Sequence, residues 1–86
     1  MKISLDARRM NRKKEAHIYL KEQLGFPDYY GNNLDALHDC LTDLRDAQVE
    51  FEHMEEAGEY FAKVYRVFRD AARENPELTL SENSEL

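Results

Sequence analysis

The chain has 86 residues, of which 42% are hydrophobic and 35% are charged, and its formal net charge at neutral pH is −6. This length suits one domain and excludes two, and the core is small but sufficient without disulfides. The single cysteine, Cys40, cannot form an internal disulfide, and no apolar stretch approaches membrane-spanning length. Because the N-terminus also lacks the hydrophobic region of a signal peptide, we expect a cytoplasmic protein.

The negative charge is concentrated in the later part of the chain. Residues 1–24 contain seven Lys or Arg and three Asp or Glu, for a net +4, whereas residues 25–86 contain five and fifteen, for a net −10. Such a surface repels nucleic acid and attracts a cationic partner, although an acidic surface also keeps a protein soluble. A basic cluster near the N-terminus lacks interleaved aromatic residues and is interpreted as a solvated patch; it comprises Arg8, Arg9, Arg12, Lys13 and Lys14.

The first elements along the chain are predicted to be a strand and a helix. Alternation of apolar and polar residues indicates a short strand at about residues 2–6. An apolar periodicity then predicts a helix over about residues 12–24. Asn11 could cap this helix, and Gly25 is well placed to end it.

The later part of the chain alternates strand and helix again. A second strand is expected at about residues 48–52, a long helix from residue 57 to about residue 75, and a third strand at residues 78–80. Alternating strands and helices imply parallel pairing through crossover connections. We therefore expect one α/β domain over residues 1–80, followed by a frayed tail at residues 81–86.

The strongest functional signal lies in a predicted helix over about residues 34–44, for which Asn33 is a good N-cap. At 100° per residue, Asp35, Asp39 and Asp43 fall within one narrow arc. Four leucines occupy roughly the opposite arc: Leu34, Leu37, Leu41 and Leu44. Like charges four residues apart cost about 0.2–0.5 kcal/mol per pair, so stability alone does not select this arc. We interpret it as a binding surface.

The segment from Pro27 to Leu41, P-x-Y-Y-G-x-N-L-D-A-L-x-D-C-L, resembles the barstar family, whose members are small intracellular inhibitors of guanyl-specific microbial ribonucleases such as barnase. The match is dense over about residues 24–42 and looser at His17 and at residues 67–71. The resemblance implies an α/β, barstar-like fold with a small three-stranded parallel sheet packed against three or four helices. The chain is shorter than the family pattern after the second strand, which leaves open whether a separate helix lies between residues 53 and 60.

The resemblance also implies a partner-binding site. In the family, the positions matching Asp35 and Asp39 enter the ribonuclease active site, where one carboxylate takes the place of the substrate phosphate. Tyr29 matches an exposed contact tyrosine, whereas Tyr30 is expected to pack in the core. The full set of predicted partner-binding residues is Tyr29, Asn33, Asp35, His38, Asp39, Thr42, Asp43 and Asp70.

Two of these positions depart from the family. His38 stands where the family commonly has a tryptophan, and the helical wheel places it beside Asp35 and Asp39, where a protonated imidazole would reduce the negative charge. Asp70 aligns with a family glutamate that makes a peripheral contact, and its side chain is one methylene shorter. Among the other residues, Cys40 is expected to be half-buried, and His17 to be a hydrogen-bonded histidine at the edge of the core.

The leading hypothesis is a non-enzymatic inhibitor that plugs the cationic active site of a basic, barnase-like extracellular-type ribonuclease. The second keeps the fold and changes the partner, giving a binding module or antitoxin for a different basic protein. A hydrolase or metal enzyme using His38, Asp39 and Cys40 is disfavoured, because helix neighbours point in different directions and no metal-ligand spacing is present. No cofactor, metal, membrane or direct nucleic-acid contact is expected, and the free form is expected to be a monomer.

Overall fold

The computed structural model describes residues 1–82. Within these residues there are three strands: β1 (Lys2–Asp6), β2 (Ala47–Glu52) and β3 (Leu78–Glu82). The same residues form three α-helices: α1 (Lys13–Leu24), α2 (Leu34–Thr42) and α3 (Glu59–Glu74). Short 3-10 helices, Ala7–Met10 and Met54–Glu56, precede α1 and α3. In this part of the chain no helix has the length and apolar composition needed to cross a membrane.

The strands form one sheet in the order β1–β2–β3, and both neighbouring pairs are parallel. The register aligns Ile3 with Val49 and Val49 with Leu80. Parallel neighbours require crossover connections; α1 and α2 lie between β1 and β2 along the chain, and α3 lies between β2 and β3. The predicted α/β class with a small three-stranded parallel sheet is confirmed.

Apolar and polar residues alternate along the strands, so one face of the sheet enters the core. Ser4 and Gln48, on the other face, are exposed. Phe51 of β2 is fully buried, and its ring makes edge contacts with Phe61 and Phe68 of α3 at centroid distances of 5.8 and 5.1 Å. These contacts fix the long helix against the sheet.

The two ends of α1 are held differently from one another. Gly25 ends the helix in the left-handed conformation, with φ of 67°, and its N–H donates to the carbonyl of Lys21, as the sequence predicts. The predicted cap Asn11 is wrong. The N-cap residue is Arg12, which makes no side-chain capping bond. The side-chain oxygen of Asn11 accepts a hydrogen bond from the N–H of Gly58 instead of capping α1.

Helix α2 ends at Thr42, two residues before the predicted end. The N–H groups of Asp43 and Leu44 bond to carbonyls three residues back, which tightens the last turn. The side-chain amide of Asn75 donates to the carbonyls of Leu41 and Leu44 at 3.0 and 2.8 Å. A residue beyond α3 therefore satisfies carbonyl groups that a longer α2 would have used.

The sequence left open whether a separate helix lies between β2 and α3. The structure has one there, the short 3-10 helix Met54–Glu56. Helix α3 accordingly begins at Glu59, two residues later than predicted. Strand β3 extends to Glu82, which pairs with Phe51, so Ser81 and Glu82 belong to the sheet rather than to the predicted tail. The rest of that predicted tail, residues 83–86, lies outside the described residues.

Candidate functional site

The loop between α1 and α2 presents one tyrosine to solvent and buries the next. Tyr29 is 88% exposed and Tyr30 only 6%. The Tyr30 ring lies 4.9 Å from that of Phe26, and its hydroxyl lies 2.6 Å from Nδ1 of His17. The expected packing of Tyr30 is confirmed, and this anchor holds the backbone from which Tyr29 projects.

His17 connects the loop to the rest of the protein. It is fully buried in α1, and its Nε2 lies 2.6 Å from the hydroxyl of Tyr60 in α3. A neutral imidazole has one donor and one acceptor nitrogen, so one tyrosine accepts a hydrogen bond and the other donates one. Burial lowers the pKa of His17, and the charge of Lys13 lowers it further. The prediction of a hydrogen-bonded core histidine is confirmed.

The burial of His17 predicts that the protein loses stability in acid. The pKa of His17 in the folded protein lies below the unfolded value of about 6.5. Between these two pKa values, His17 binds a proton in the unfolded chain but not in the folded chain. This stabilisation is complete above about pH 6.5 and decreases as the pH falls below it. Urea melts should give a lower free energy of unfolding at pH 5 than at pH 8. His17→Gln should be less stable at pH 8 but lose less between the two pH values; equal losses would contradict this role.

The loop is fitted closely to the first turn of α2. The side-chain oxygen of Asn33 accepts a hydrogen bond from the N–H of Ala36 at 2.7 Å, which confirms the predicted cap, and its Nδ2 donates to the carbonyl of Gly31 at 3.2 Å. A Cβ atom on Gly31 would lie only 3.2 Å from Nδ2 of Asn33 and 3.3 Å from Cβ of Ala36. Glycine therefore permits this close approach.

We call Asp35, Asp39 and Asp43 together the acidic face. All three are exposed, and within residues 1–82 no cationic group lies within 4.0 Å of their carboxylates. Asp35 lies in the first turn of α2, where a carboxylate complements the helix dipole, whereas Asp43 follows the last turn, where it opposes the dipole. Helix stability therefore accounts for Asp35 but not for Asp39 or Asp43.

Two members of the acidic face share a groove with the exposed tyrosine. Asp39, Asp43 and Tyr29 line a groove of about 320 Å³ between the loop and α2, together with apolar residues that include Leu44. Cys40 also lines it and is half-buried, as predicted. Burial raises the pKa of the Cys40 thiol, and the neighbouring aspartates raise it further. This groove combines an aromatic anchor with two carboxylates that have no counter-ion in the described chain.

Asp35 lies beside a different groove. It lines a space of about 340 Å³ with Lys13 of α1 and Lys63 of α3, near the N-terminus of α2. Neither lysine is within ion-pair distance of the Asp35 carboxylate in the described residues. The acidic face is therefore one helix stripe whose two ends have different surroundings, cationic at Asp35 and apolar at Asp43.

The contact made by His38 differs from the one inferred from the helical wheel. Its Nε2 lies 2.7 Å from Oε2 of Glu74 in α3, and among the described residues it forms no ion pair with Asp35 or Asp39. This side of α2 faces α3, a packing that the wheel of one helix cannot show. Glu74 was not predicted as a site residue, although its position four residues after Asp70 places both acids on one side of α3.

The remaining predicted residues lie at the margins. The hydroxyl of Thr42 donates to the carbonyl of Asp39 at 2.9 Å, which leaves its oxygen available only as an acceptor. Asp70 lies on α3, 3.7 Å from Nη1 of Arg73. The structure thus brings Tyr29, Asp39 and Asp43 together and places Asp70 on the neighbouring helix.

The surface next to Asp70 is basic. Helix α3 carries four of the five Lys and Arg residues found in residues 25–86: Lys63, Arg66, Arg69 and Arg73. The same helix also carries three acids, Glu59, Asp70 and Glu74, so its net charge is +1. Helix α2, in contrast, contains no lysine or arginine.

The three consecutive residues of the enzyme alternative do not form one site. His38 contacts Glu74 on α3, whereas Asp39 and Cys40 line the groove beside Tyr29. Within residues 1–82, no hydrogen bond joins any two of these three side chains. The arrangement lacks the base-to-nucleophile contact that such chemistry uses.

Comparison with known proteins supports a family assignment. The family model described as "Barstar (barnase inhibitor)" matches residues 1–82. A protein of Bacillus subtilis (strain 168), named "Putative ribonuclease inhibitor YrdF", is 56% identical over 41 residues. That match covers 48% of this chain and 45% of the relative, so it spans less than half of the relative's length. With a family match over residues 1–82 and the three-stranded parallel sheet expected of it, the chain belongs to the barstar family.

Proposed function

We propose that the protein inhibits a microbial ribonuclease by covering the cationic active site of the enzyme with Tyr29 and the acidic face. The observation that carries this proposal is the groove in which Tyr29 lies beside Asp39 and Asp43, with both carboxylates exposed and without a counter-ion in the described chain. Family membership and the name of the Bacillus subtilis relative support the same role.

The chemistry of a ribonuclease suits this surface. An enzyme that cleaves RNA must hold a phosphate, and Arg, Lys and protonated His side chains do so. A carboxylate presents two acceptor oxygens to the same groups, and a guanidinium can bind both of them. Asp39, in the middle of the acidic face and next to Tyr29, is the residue that we assign to the phosphate position.

Hydrogen bonds also hold the backbone of the site in one arrangement before it binds. The hydrogen bonds of Tyr30 to His17 and of Asn33 to Ala36 hold the loop and the first turn of α2 in place. A prearranged surface loses little conformational entropy on docking, so more of the contact energy contributes to affinity. Tyr29 suits the centre of such an interface, since its ring buries a large area with few rotatable bonds.

The direct experiment titrates the protein into guanyl-specific ribonucleases of the barnase type and into other basic microbial nucleases, with RNA cleavage as the readout. We expect stoichiometric inhibition of at least one guanyl-specific enzyme. Glu22→Gln, which removes one exposed negative charge from α1, serves as the control and should inhibit equally. A folded wild-type protein that inhibits none of the guanyl-specific enzymes would refute this function.

A second candidate keeps the interface and changes the partner to a different basic protein, such as a toxin nuclease of another family. The contact of His38 with Glu74 favours it, because a polar pair occupies the position where the family commonly has a tryptophan. Purification from the native host with bound partners separates the two candidates. A guanyl-specific nuclease should co-purify only under the first.

We place this inhibition in the cytoplasm, where the protein would protect RNA until the nuclease is exported. The unpaired thiol of Cys40 is compatible with a reducing compartment. Fractionation of host cells tests this placement: the protein should be recovered with cytoplasmic markers and be absent from the culture medium.

Association with the nuclease should be electrostatically steered. The chain carries a net charge of −6, and the acidic face is exposed, so a basic enzyme is attracted before contact. We expect the association rate to fall markedly as ionic strength rises past about 0.1 M, where the Debye length is about 10 Å, while dissociation changes much less. Stopped-flow mixing at several salt concentrations measures both rates. An association rate that does not depend on salt would argue against charge-led docking.

A further inference from the structure

Ile18 is a hydrophobic residue whose exposure the inhibitor function does not explain. Within residues 1–82, the exposed large hydrophobic residues are Met1 at the N-terminus, Tyr29 at the candidate site and Ile18 in α1, which is 46% exposed. A single exposed isoleucine is ordinary on its own. This one lines a groove of about 430 Å³, here called the α1 groove, whose lining residues are Arg9, Arg12, Lys14, Glu15, Ile18 and Tyr19.

The α1 groove is cationic. It contains three basic side chains and one acid, and within residues 1–82 no carboxylate lies within 4.0 Å of the three basic groups. Nearby Arg8, in contrast, is neutralised by Asp6 at 2.9 Å. Arg12 and Lys14 lie at the start of α1, where positive charge opposes the helix dipole. Helix stability therefore does not account for this charge.

The groove also has a fixed apolar wall. The hydroxyl of Tyr19 accepts a hydrogen bond from the N–H of Asp6 at 2.9 Å, and Cζ of Arg9 lies 4.7 Å from the centre of the Tyr19 ring. The ring is thus held between β1 and a guanidinium, with Ile18 next to it along α1. The α1 groove therefore combines one exposed aliphatic side chain, Ile18, with three cationic side chains.

We propose that the α1 groove binds an acidic segment of a second protein partner, with one aliphatic side chain against Ile18 and flanking carboxylates beside the three cations. Charge complementarity selects an anionic partner. The apolar wall selects one that also presents a hydrophobic side chain, as acidic peptide segments with a leucine or isoleucine do.

Two other anionic partners fit the groove less well. Single-stranded RNA is held by base stacking on exposed aromatic rings, and the Tyr19 ring is only 7% exposed and already covered by Arg9. Anionic membranes bind helices with a broad apolar face, whereas Ile18 is the only large hydrophobic residue that α1 exposes in the described chain. An acidic protein segment uses both the charge and the single apolar contact.

This partner would differ from the nuclease and need not displace it. None of the residues lining the α1 groove lines either groove that contains a member of the acidic face. A basic enzyme on α2 and an acidic segment on α1 would therefore contact separate surfaces of opposite charge. The inference thus goes beyond inhibition, and Ile18→Ser should leave ribonuclease inhibition unchanged.

The test is an NMR titration of isotope-labelled protein with a capped acidic peptide, Glu-Asp-Glu-Leu-Glu-Asp-Glu, and with the same peptide carrying serine in place of leucine. We expect saturable shifts of the amides around Arg9 and Ile18 and about tenfold weaker binding of the serine peptide. Ile18→Ser should abolish the preference for the leucine peptide. Lys14→Glu should weaken its binding about tenfold, whereas Lys2→Glu, with the same charge change outside the groove, should weaken it less than twofold.

Three outcomes would overturn the proposal. The first is the absence of shifts at these amides, and the second is equal binding of the leucine and serine peptides, which would indicate general charge attraction. The third is a stronger response of the same amides to an oligouridylate or to phosphatidylserine vesicles than to the leucine peptide. Spectra of all three variants without peptide show whether they are folded, so a loss of binding can be assigned to the groove.

Discussion

Replacing Asp39 with alanine is expected to weaken nuclease binding by roughly 2–5 kcal/mol, the range found when one member of a desolvated charge pair is truncated. In the proposed complex the Asp39 carboxylate lies among cationic groups that would otherwise hold a phosphate. Without it, those groups are desolvated and unpaired, which costs more than the lost contact alone.

The same substitution should not harm the fold. The Asp39 side chain is exposed, has no ion-pair partner in the described residues and is four residues from two like charges. Alanine has the better helix propensity, and two repulsions of about 0.2–0.5 kcal/mol each disappear, so stability should be equal or slightly higher. Paired urea melts and inhibition assays measure both effects. Glu22→Ala, at an exposed position of α1, is the matched control and should change neither.

Two results would remove the main support for the mechanism. If Asp39→Ala unfolds the protein, the carboxylate is structural. If the variant inhibits as well as wild type, the acidic face is not the contact surface.

Replacing Leu41 with alanine should have the opposite pattern. Leu41 is fully buried on the side of α2 that packs into the core. The lost burial and the remaining cavity should lower the free energy of unfolding by about 2–5 kcal/mol. This loss is a large fraction of the total free energy of unfolding, which is only about 5–15 kcal/mol for a protein of this kind.

Binding by the folded fraction should nevertheless be nearly unchanged, because Leu41 does not line either groove of the acidic face. The measurement is a urea melt together with inhibition assayed at low temperature, where the variant is folded. A Leu41→Ala protein that is as stable as wild type would contradict the assigned packing of α2. A folded variant with no inhibition would show that α2 must be positioned more finely than proposed.

The sequence predicted the order and type of the main elements because local periodicity encodes them. Apolar and polar residues alternate along β1 and β2, and apolar residues recur with a 3.6-residue period in α3. Each pattern depends only on which face of that one element is buried. The end of α2 could not be predicted in this way, since it is set by Asn75, a residue more than thirty positions away. The same holds for Asn11, whose side chain is used by Gly58 rather than by α1.

The candidate site shows the same division. The stripe of Asp35, Asp39 and Asp43 follows from helix geometry alone, and the resemblance to the family separated Tyr29 from Tyr30. The partner of His38 could not be derived, because Glu74 reaches it only when α2 packs on α3. The different surroundings of Asp35 and Asp43 likewise depend on Lys13, Lys63 and the loop, which are brought together by the fold.

The central claim is that the acidic face occupies the phosphate-binding site of a ribonuclease. The most direct measurement is the Kd between the protein and an inhibited guanyl-specific nuclease in rising concentrations of guanosine 3′-monophosphate at constant ionic strength. If both ligands compete for one site, the apparent Kd should rise in proportion to one plus the nucleotide concentration divided by its own Kd. A Kd that stays constant at saturating nucleotide would show that the inhibitor binds elsewhere and would contradict the mechanism.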